Sequence, residues 1–520
     1  MRVAILGVAW VAAQAEPTPG GWIGWAYLGD GGDLPLRVWF EQDAEGLVAR
    51  FDGVPWRQRG WTSEVRLDGS KLSLVTATPK GTAIELSGTV ESDRWSGTAE
   101  FADYSGDFEL LHAPGLADIA PESYAELAGF YRMSDGDVVE AKPRPWGEIV
   151  LRSIRTGQQR TLLPTGPDTF MTGPARYLPT PVEARYEVIH GEDGGVTLLR
   201  KGRNGETSRG ESFQLRSREI KLSRDGVELA ATITEPDDRS VTSGVALLGG
   251  ATWESRDTVA FWTRNLAALG FAVIAWDRRG HGESGGEAPS AFEVTAGDAV
   301  AAAAVLREQG VSPVGYFGIS RGGWTAPRAA ATDPSAAFLM LLVPPATTPA
   351  VQEQSSRVAQ LRADGLDGPA LEAASRALEA AWRFASVDSD DRWKTYAERR
   401  RAALAMGIPE DVLPPSERDP ESWRWSRLNM HHDPRPDLAS LRIPVLALYG
   451  ELDANVLPLV HRPLMADALD QATDVTLVTI PGVPHNLGRS SELPHHRSTG
   501  VGAEGFDMIM EWARARGMIE

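Results

Sequence analysis

Residues Gly318-Ile319-Ser320-Arg321-Gly322 read G-x-S-x-G, between an apolar strand-like run, Val314-Gly315-Tyr316-Phe317, and a helix-like Gly323-Trp324-Thr325-Ala326. A serine with small residues two before and two after it suits a sharp strand-to-helix turn, where the backbone is too crowded for larger side chains. The turn lifts the hydroxyl clear of the sheet. It also sets the next backbone N–H at a helix N-terminus, where it can donate to an oxyanion. The context predicts an α/β fold with Ser320 as candidate nucleophile.

Two candidate partners follow in the chain. Val445-Leu446-Ala447-Leu448-Tyr449 reads as an apolar strand running into Gly450-Glu451-Leu452-Asp453, which places Asp453 in the loop at its end. Val475–Ile480 reads as the next strand, with Pro481-Gly482-Val483-Pro484-His485 behind it. A serine hydroxyl is a poor nucleophile until a neutral imidazole takes its proton, and a carboxylate must then orient that imidazole and stabilise its cation. Asp453, His485 and Ser320 are the candidates for these three roles. Glu451 competes with Asp453, and His495 and His496 compete with His485 but lie in a polar stretch. His431 and His432, ahead of Asp433-Pro434, read as linker residues. No cluster has metal-ligand spacing, so neither a metal nor another cofactor is expected.

From about Glu219 to the C-terminus the chain resembles an α/β-hydrolase of the group holding serine esterases and prolyl-oligopeptidase-like peptidases. Leu247–Ala251, Asp277-Arg278-Arg279-Gly280-His281-Gly282-Glu283-Ser284, the Ser320 turn and Pro444–Val456 carry the resemblance. It implies a hydrolase domain over 217–520, opening with a hairpin of Glu219–Leu222 and Val227–Ala230. Ala336–Val343 is the sixth-strand candidate. A helical cap is expected at about 344–432, with helices near 350–363, 369–384 and 393–406. By position the backbone amides of Ala251 and Arg321 form the oxyanion hole, with Thr252 a substitute for Ala251. Relatives have His-Gly where this chain has Gly249-Gly250, which predicts a looser oxyanion loop. Pro327 predicts a kink in the helix behind the serine. His281 is expected to be structural.

The activity so implied is cleavage of a carboxylic ester through an acyl-enzyme on a Ser-His-Asp triad. The alternatives are a serine peptidase or amidase of the same fold, or an acyltransferase; an inert binding protein is the reading from another class. A peptidase would need an acidic anchor for the substrate's amino terminus, for which Asp388, Asp390 and Asp391 are candidates. The substrate is expected to be a small-molecule ester.

Composition narrows the partners. A net charge of −19 leaves little basic surface for nucleic acid or anionic membrane. The absence of cysteine excludes disulfides, thiol catalysis and cysteine-ligated metal. Past the N-terminus no apolar run is long enough for a spanning helix.

The start of the chain predicts export. Arg2, the apolar run Val3–Ala12 and Ala13-Gln14-Ala15 read as a signal peptide over 1–15, and a secreted or periplasmic location follows. Residues 20–113 and 119–215 alternate with period two between Asp-Gly and Gly-Gly turns, predicting two small barrel-like β modules. The first resembles lipocalin-like modules attached to bacterial hydrolases. Its tryptophans (Trp22, Trp25, Trp39, Trp56, Trp61 and Trp95) are expected in the module's core rather than on a polymer-binding face.

Overall fold

In the computed structural model the alternating runs of the first module close into an eight-stranded antiparallel barrel, in which strand Tyr104–His112 returns to pair with strand Gly20–Tyr27. The structure describes residues 17–488 and 503–520, except 30–32, 43, 45–46, 54–57, 78–80, 145–147 and 193. Residues 1–15, read as a signal peptide, therefore lie outside the described residues, as do Trp56, the side chain of Trp61, His495 and His496. Strand Lys71–Ala77 shows the alternation directly, with Leu72 and Leu74 buried between exposed or half-buried neighbours. Trp22, Phe40, Trp95 and Phe108 fill the barrel through edge-to-face contacts, such as Trp95 on Phe108 at 4.8 Å. Closure of so small a barrel forces strands together, and a Cβ on Gly24 would stand 1.8 Å from the carbonyl oxygen of Glu109.

Trp22 and Trp95 thus take the core role expected of them. Trp25 and Trp39 do not face the barrel interior. They join Ile23 and Leu116 in a second apolar cluster with Leu163 and Met171 of the following sheet and Tyr177 of a turn between its strands.

That following sheet has nine strands between Gly129 and Phe213. Strands Gln159–Thr161 and Leu163–Gly166 lie at its opposite edges, yet only Leu162 separates them in the chain. One residue spans under about 4 Å, so the sheet curls until its edges nearly meet. Both β-rich parts, residues 17–153 and 158–212, fall in one compact unit, and residues 154–157, 213–488 and 503–520 form a second.

The second unit is built on an eight-stranded sheet. Its strands are β1 (Leu215–Arg224), β2 (Val227–Pro236), β3 (Gly244–Leu248), β4 (Ala272–Trp276), β5 (Val314–Ile319), β6 (Leu339–Leu342), β7 (Pro444–Gly450) and β8 (Asp474–Ile480). Their spatial order is β1-β2-β4-β3-β5-β6-β7-β8, with β2 antiparallel to its neighbours and β3 to β8 parallel. Asp225 and Gly226, both at positive φ, make the tight turn of the β1–β2 hairpin. Strands β3 and β4 are buried at every position, as a parallel sheet covered on both faces requires.

Helices supply that cover. α1 (Ala260–Leu269) meets α10 (Ala503–Arg514), with Trp262 5.3 Å from Phe506. α2 (Phe292–Glu308) packs on α3 (Gly322–Thr332). Between β6 and β7 the chain inserts α4 (Pro349–Ala363), α5 (Gly368–Ser386), α6 (Asp390–Ala405), α7 (Arg424–Asn429) and α8 (Arg435–Ser440), and α9 (Pro458–Ala468) follows β7. Side chains of Ser389, Asp367 and Thr348 cap three of these helices by accepting from the first-turn amides. The inserted helices carry their own core around Phe384, Tyr396 and Trp423. α3 runs through Pro327 without a break, so the expected kink does not interrupt the helix.

Inside the β-rich unit, Arg37 of the barrel and Glu148 ahead of strand Ile149–Ser153 form an ion pair at 3.0 Å, with side chains 4% and 2% exposed. Removing one partner would leave a buried charge uncompensated. Glu148→Ala is expected to destabilise this unit by about 3 kcal/mol, read from its denaturant-unfolding midpoint. A loss below about 0.5 kcal/mol, the level of surface substitutions, would show that the pair does not hold the unit together.

Candidate active site

Ser320 sits at the C-terminal end of β5 with φ of 51°, in the left-handed region that a side chain rarely adopts. Its neighbours explain how the turn is held. A Cβ on Gly318 would meet the carbonyl oxygen of Gly322 at 2.5 Å, and one on Gly322 would meet that of Leu248 at 2.3 Å. A Cβ on Gly323 would meet Pro344 at 2.8 Å. The glycines therefore let the turn pack against the end of β3 and the start of the inserted segment. Ser320 N donates to the Leu342 carbonyl (2.9 Å) and Gly323 N to the Ser320 carbonyl (2.7 Å), tying the turn to β6 and into α3.

The loops after β5, β7 and β8 bring the three candidate residues into one hydrogen-bonded line. His485 Nε2 lies 3.0 Å from Ser320 Oγ, and His485 Nδ1 lies 2.8 Å from Asp453 Oδ2. The other oxygen, Asp453 Oδ1, accepts from the amides of Asn455 and Val456, both at 2.8 Å. The Asp453 side chain is fully buried, whereas His485 is about a third exposed. Glu451, the competing acid, turns the other way and accepts from Gly482 N at 2.8 Å.

With Asp453 accepting from Nδ1–H, the Nε2 lone pair is left to take the Ser320 proton. The arrangement can carry a proton from a hydroxyl to an imidazole whose cation is stabilised in place.

Above Ser320 lies a cavity of about 330 Å³, lined among others by Ala251, Thr252, Trp253, Trp262, Leu342 and Asn486. Among the described residues the amides of Ala251 and Arg321 donate no backbone hydrogen bond. Both lie in turns, and Ala251 and Ser320 face the same cavity.

The loop after β3 is not loose, contrary to the expectation from Gly249-Gly250. Trp253 fills the place where a side chain at position 249 would stand: a Cβ on Gly249 would lie 2.6 Å from the Trp253 Cβ. Trp253 N donates to the Gly250 carbonyl (3.2 Å), and its Nε1 donates to the Trp276 carbonyl (3.1 Å), so the indole pins the loop to β4. The signal was a bulky residue four positions after Gly249, visible in the sequence but assigned no role there.

Two further residues were not singled out. Gln352 on α4 is buried, and its Nε2 donates to the carbonyl oxygen of Asn455 at 2.7 Å. This links the inserted helices to the loop holding Asp453. Burial pushes His461 on α9 down to about 4, so it is neutral, and its Nδ1 accepts from Ala346 N at 3.1 Å.

His431 and His432 lie in the connection between α7 and α8, as expected of linker residues, but both have packing partners. His432 packs edge-on against Phe292 at 5.4 Å, and His431 Nε2 lies 3.2 Å from the Trp382 carbonyl oxygen. His281 is 3.0 Å from the Arg279 carbonyl oxygen through Nδ1, consistent with a structural place. Asp388 and Asp390 are bound by Arg418, and Asp388 also by Arg427 at the surface of the inserted helices. Among the described residues no group of three or more His, Asp or Glu could hold a metal ion.

Residues 240–491 match the family model described as serine aminopeptidase, S33. No curated protein matches the chain. Among solved structures, an esterase of Pyrococcus furiosus is similar at 16% identity, covering 58% of this chain and 90% of its own, with a TM-score of 0.36. A thermophilic esterase from Thermogutta terrifontis matches at 20% identity (58% and 100% covered, TM-score 0.34). Proline iminopeptidase of Mycobacterium smegmatis matches at 18% (57% and 98% covered, TM-score 0.36). By its strand order, its serine turn and this family match, the C-terminal part of the chain has the α/β-hydrolase fold, behind β-rich modules that precede it.

Proposed function

We propose that the protein is a serine hydrolase that cleaves carboxylic esters. The observation carrying this reading is the line Ser320–His485–Asp453, with distances of 3.0 and 2.8 Å, beneath two uncommitted backbone amides.

In the proposed mechanism Ser320 Oγ attacks the acyl carbon as its proton passes to His485 Nε2. The carbonyl oxygen becomes an oxyanion held by the N–H groups of Ala251 and Arg321. His485 then gives the proton to the departing alcohol, leaving an acyl-enzyme, and water repeats the sequence to release the acid. Asp453 keeps Nδ1 protonated throughout and stabilises the imidazolium. Each step balances without a cofactor.

The serine aminopeptidase description of the matched family supports a second reading, hydrolysis of peptides from their amino end. Two observations favour esters. Of the three acidic candidates for an amino-terminus anchor, Asp388 and Asp390 are engaged by arginines, and Asp391 is exposed in the first turn of α6. The charged side chain next to Ser320 is Arg321, whose Cζ lies 5.0 Å from the Trp425 ring and which repels an ammonium group. Amides also demand tighter alignment of the proton donor than esters, because an amine is the poorer leaving group.

Ser320→Ala is expected to abolish covalent labelling by a fluorophosphonate and to lower turnover by several orders of magnitude, with folding unchanged by circular dichroism. Labelling at full strength would refute the nucleophile assignment. Asp453→Asn, which keeps the shape and loses the charge, is expected to lower kcat about 10⁴-fold; a loss under tenfold would mean another group orients His485. For substrate class, short- to medium-chain p-nitrophenyl esters are expected to exceed matched aminoacyl anilides at least about tenfold in kcat/KM, roughly 1.4 kcal/mol of barrier. Equal or reversed values would favour the peptidase reading.

A further inference from the structure

Among the described residues, the guanidinium groups of Arg321 and Arg278 have ring contacts but no hydrogen-bonding or ion-pair partner. Arg321 directly follows the serine and sits over Trp425 of α7. Arg278 leaves the end of β4 and lies 5.8 Å from the ring of Trp253, which itself lines the cavity at Ser320. Among the described residues neither guanidinium makes a hydrogen bond or ion pair, and the Nε of Arg278 is a buried donor with no acceptor.

Other arginines of the same loops are matched. Arg256 pairs with Asp277 at 3.1 Å and Arg279 with Asp298 at 2.7 Å. Of the carboxylates that act on the two groups, Glu353, beside Arg321, is held by Arg357 at 2.9 Å, and Glu254, which acts on Arg278, is exposed to solvent, where its charge is screened. Burial lowers both guanidinium groups, and with the neighbouring Arg278 charge acting in the same direction Arg321 comes down to about 10. Both remain cations at neutral pH.

Two like charges, partly buried and unpaired, are costly. A tryptophan face offsets only part of that cost. An anion shared between them would satisfy the open donors and remove the repulsion, and charge-assisted bonds to a guanidinium are the strong ones.

We infer that the substrate of this site is an anionic ester, one whose carboxylate or phosphate oxygens are bound by Arg278 and Arg321 while its ester carbonyl faces Ser320. This rests on the ester-hydrolase reading, which it narrows to a substrate class. The specificity lies in the side chains of the two arginines; the proposed oxyanion donor at Arg321 is its backbone amide.

The test compares matched p-nitrophenyl esters on the full chain. One is the mono-p-nitrophenyl ester of glutarate, the second is the same compound with its free carboxylate capped as a methyl ester, and a third replaces that carboxylate with a phosphonate. The anionic esters are expected to exceed the capped one at least about tenfold in kcat/KM, the scale of a hydrogen bond to a charged group. Whichever anion shows the larger ratio identifies the source. In Arg278→Gln the ratio of anionic to capped ester is expected to fall at least about fivefold. Arg278→Lys, which keeps charge without the planar fork, is expected to recover part of it. A wild-type ratio of one or less, or a ratio unmoved in Arg278→Gln, would overturn the inference and leave the hydrolase reading standing.

Binding separates the two readings. Ser320→Ala protein is titrated calorimetrically with monomethyl glutarate and with dimethyl glutarate. Preferential binding of the monoanion, with no ester turned over by the wild type, would support the anion site and sink the hydrolase reading. No preference in binding and no turnover would sink both.

Discussion

The active-site geometry depends on a steric constraint: backbone must cross backbone at the end of β5, closer than any side chain allows. Gly322 lies against the carbonyl of Leu248, Gly318 against Gly322, and Gly323 against Pro344. Only with hydrogens at these positions can α3 start where it does. The crossing brings together the loop after β3, the serine turn and the first residues after β6. It also holds Ser320 at a positive φ that the chain would not otherwise adopt. The strain is offset by bonds on both sides of the turn, from Ser320 N to β6 and from Gly323 N back to Ser320.

Around this crossing, the remaining pieces are fixed by side chains rather than by strand order. Trp253 takes the space at Gly249 and ties the loop after β3 to β4. Gln352 joins α4 to Asn455, whose amide in turn donates to Asp453. Trp324 on α3 donates to the Thr347 carbonyl at 2.7 Å and stacks on Phe292 of α2. The inserted helices are therefore bonded to the serine helix and to the acid loop. A continuous line of hydrogen bonds thus runs from α4 through Asn455 and Asp453 to His485.

What could be read in the sequence follows from how local each signal is. The serine turn, the β1–β2 hairpin and the apolar strands β5 and β7 rest on neighbours within a few residues, so spacing and turn chemistry expose them. The pairing of Ser320, Asp453 and His485 spans 165 residues, yet it was legible because each follows an apolar strand and all must meet at one sheet edge. The roles of Trp253, Gln352 and His432 were not legible. Each depends on which distant residue it meets, and a tryptophan, a helical glutamine or a histidine before Asp-Pro carries no local sign of that. The loop at Gly249-Gly250 shows the difference most clearly: read locally, two glycines imply freedom, while in three dimensions the space they leave is taken by an indole. In the same way Trp25 and Trp39, expected inside the barrel, pack on its outer face against the next sheet, because alternate residues of a strand face opposite sides and Trp22, Val38 and Phe40 take the inward positions.

The charge of the chain bears on the proposed substrate in two opposed ways, and distance decides between them. A net charge of −19 sets up a field that discourages an anion from approaching. Salt screens that field over about 8 Å at physiological ionic strength, so it acts on encounter and hardly on the bound state. Arg278 and Arg321 act at short range, partly shielded from water, where screening is weak and each charge is worth more. An enzyme so arranged would discriminate through its bound complex rather than through its rate of encounter. Its preference for an anionic over a capped ester should therefore hold as salt is raised, whereas a preference arising from a diffuse surface potential would fade. On the proposed reading, the same local charge disfavours an ammonium terminus beside Ser320 even though the chain's overall charge would attract it. In the proposed site the two arginines, rather than the acidic surface, determine which substrates reach the serine in a productive pose.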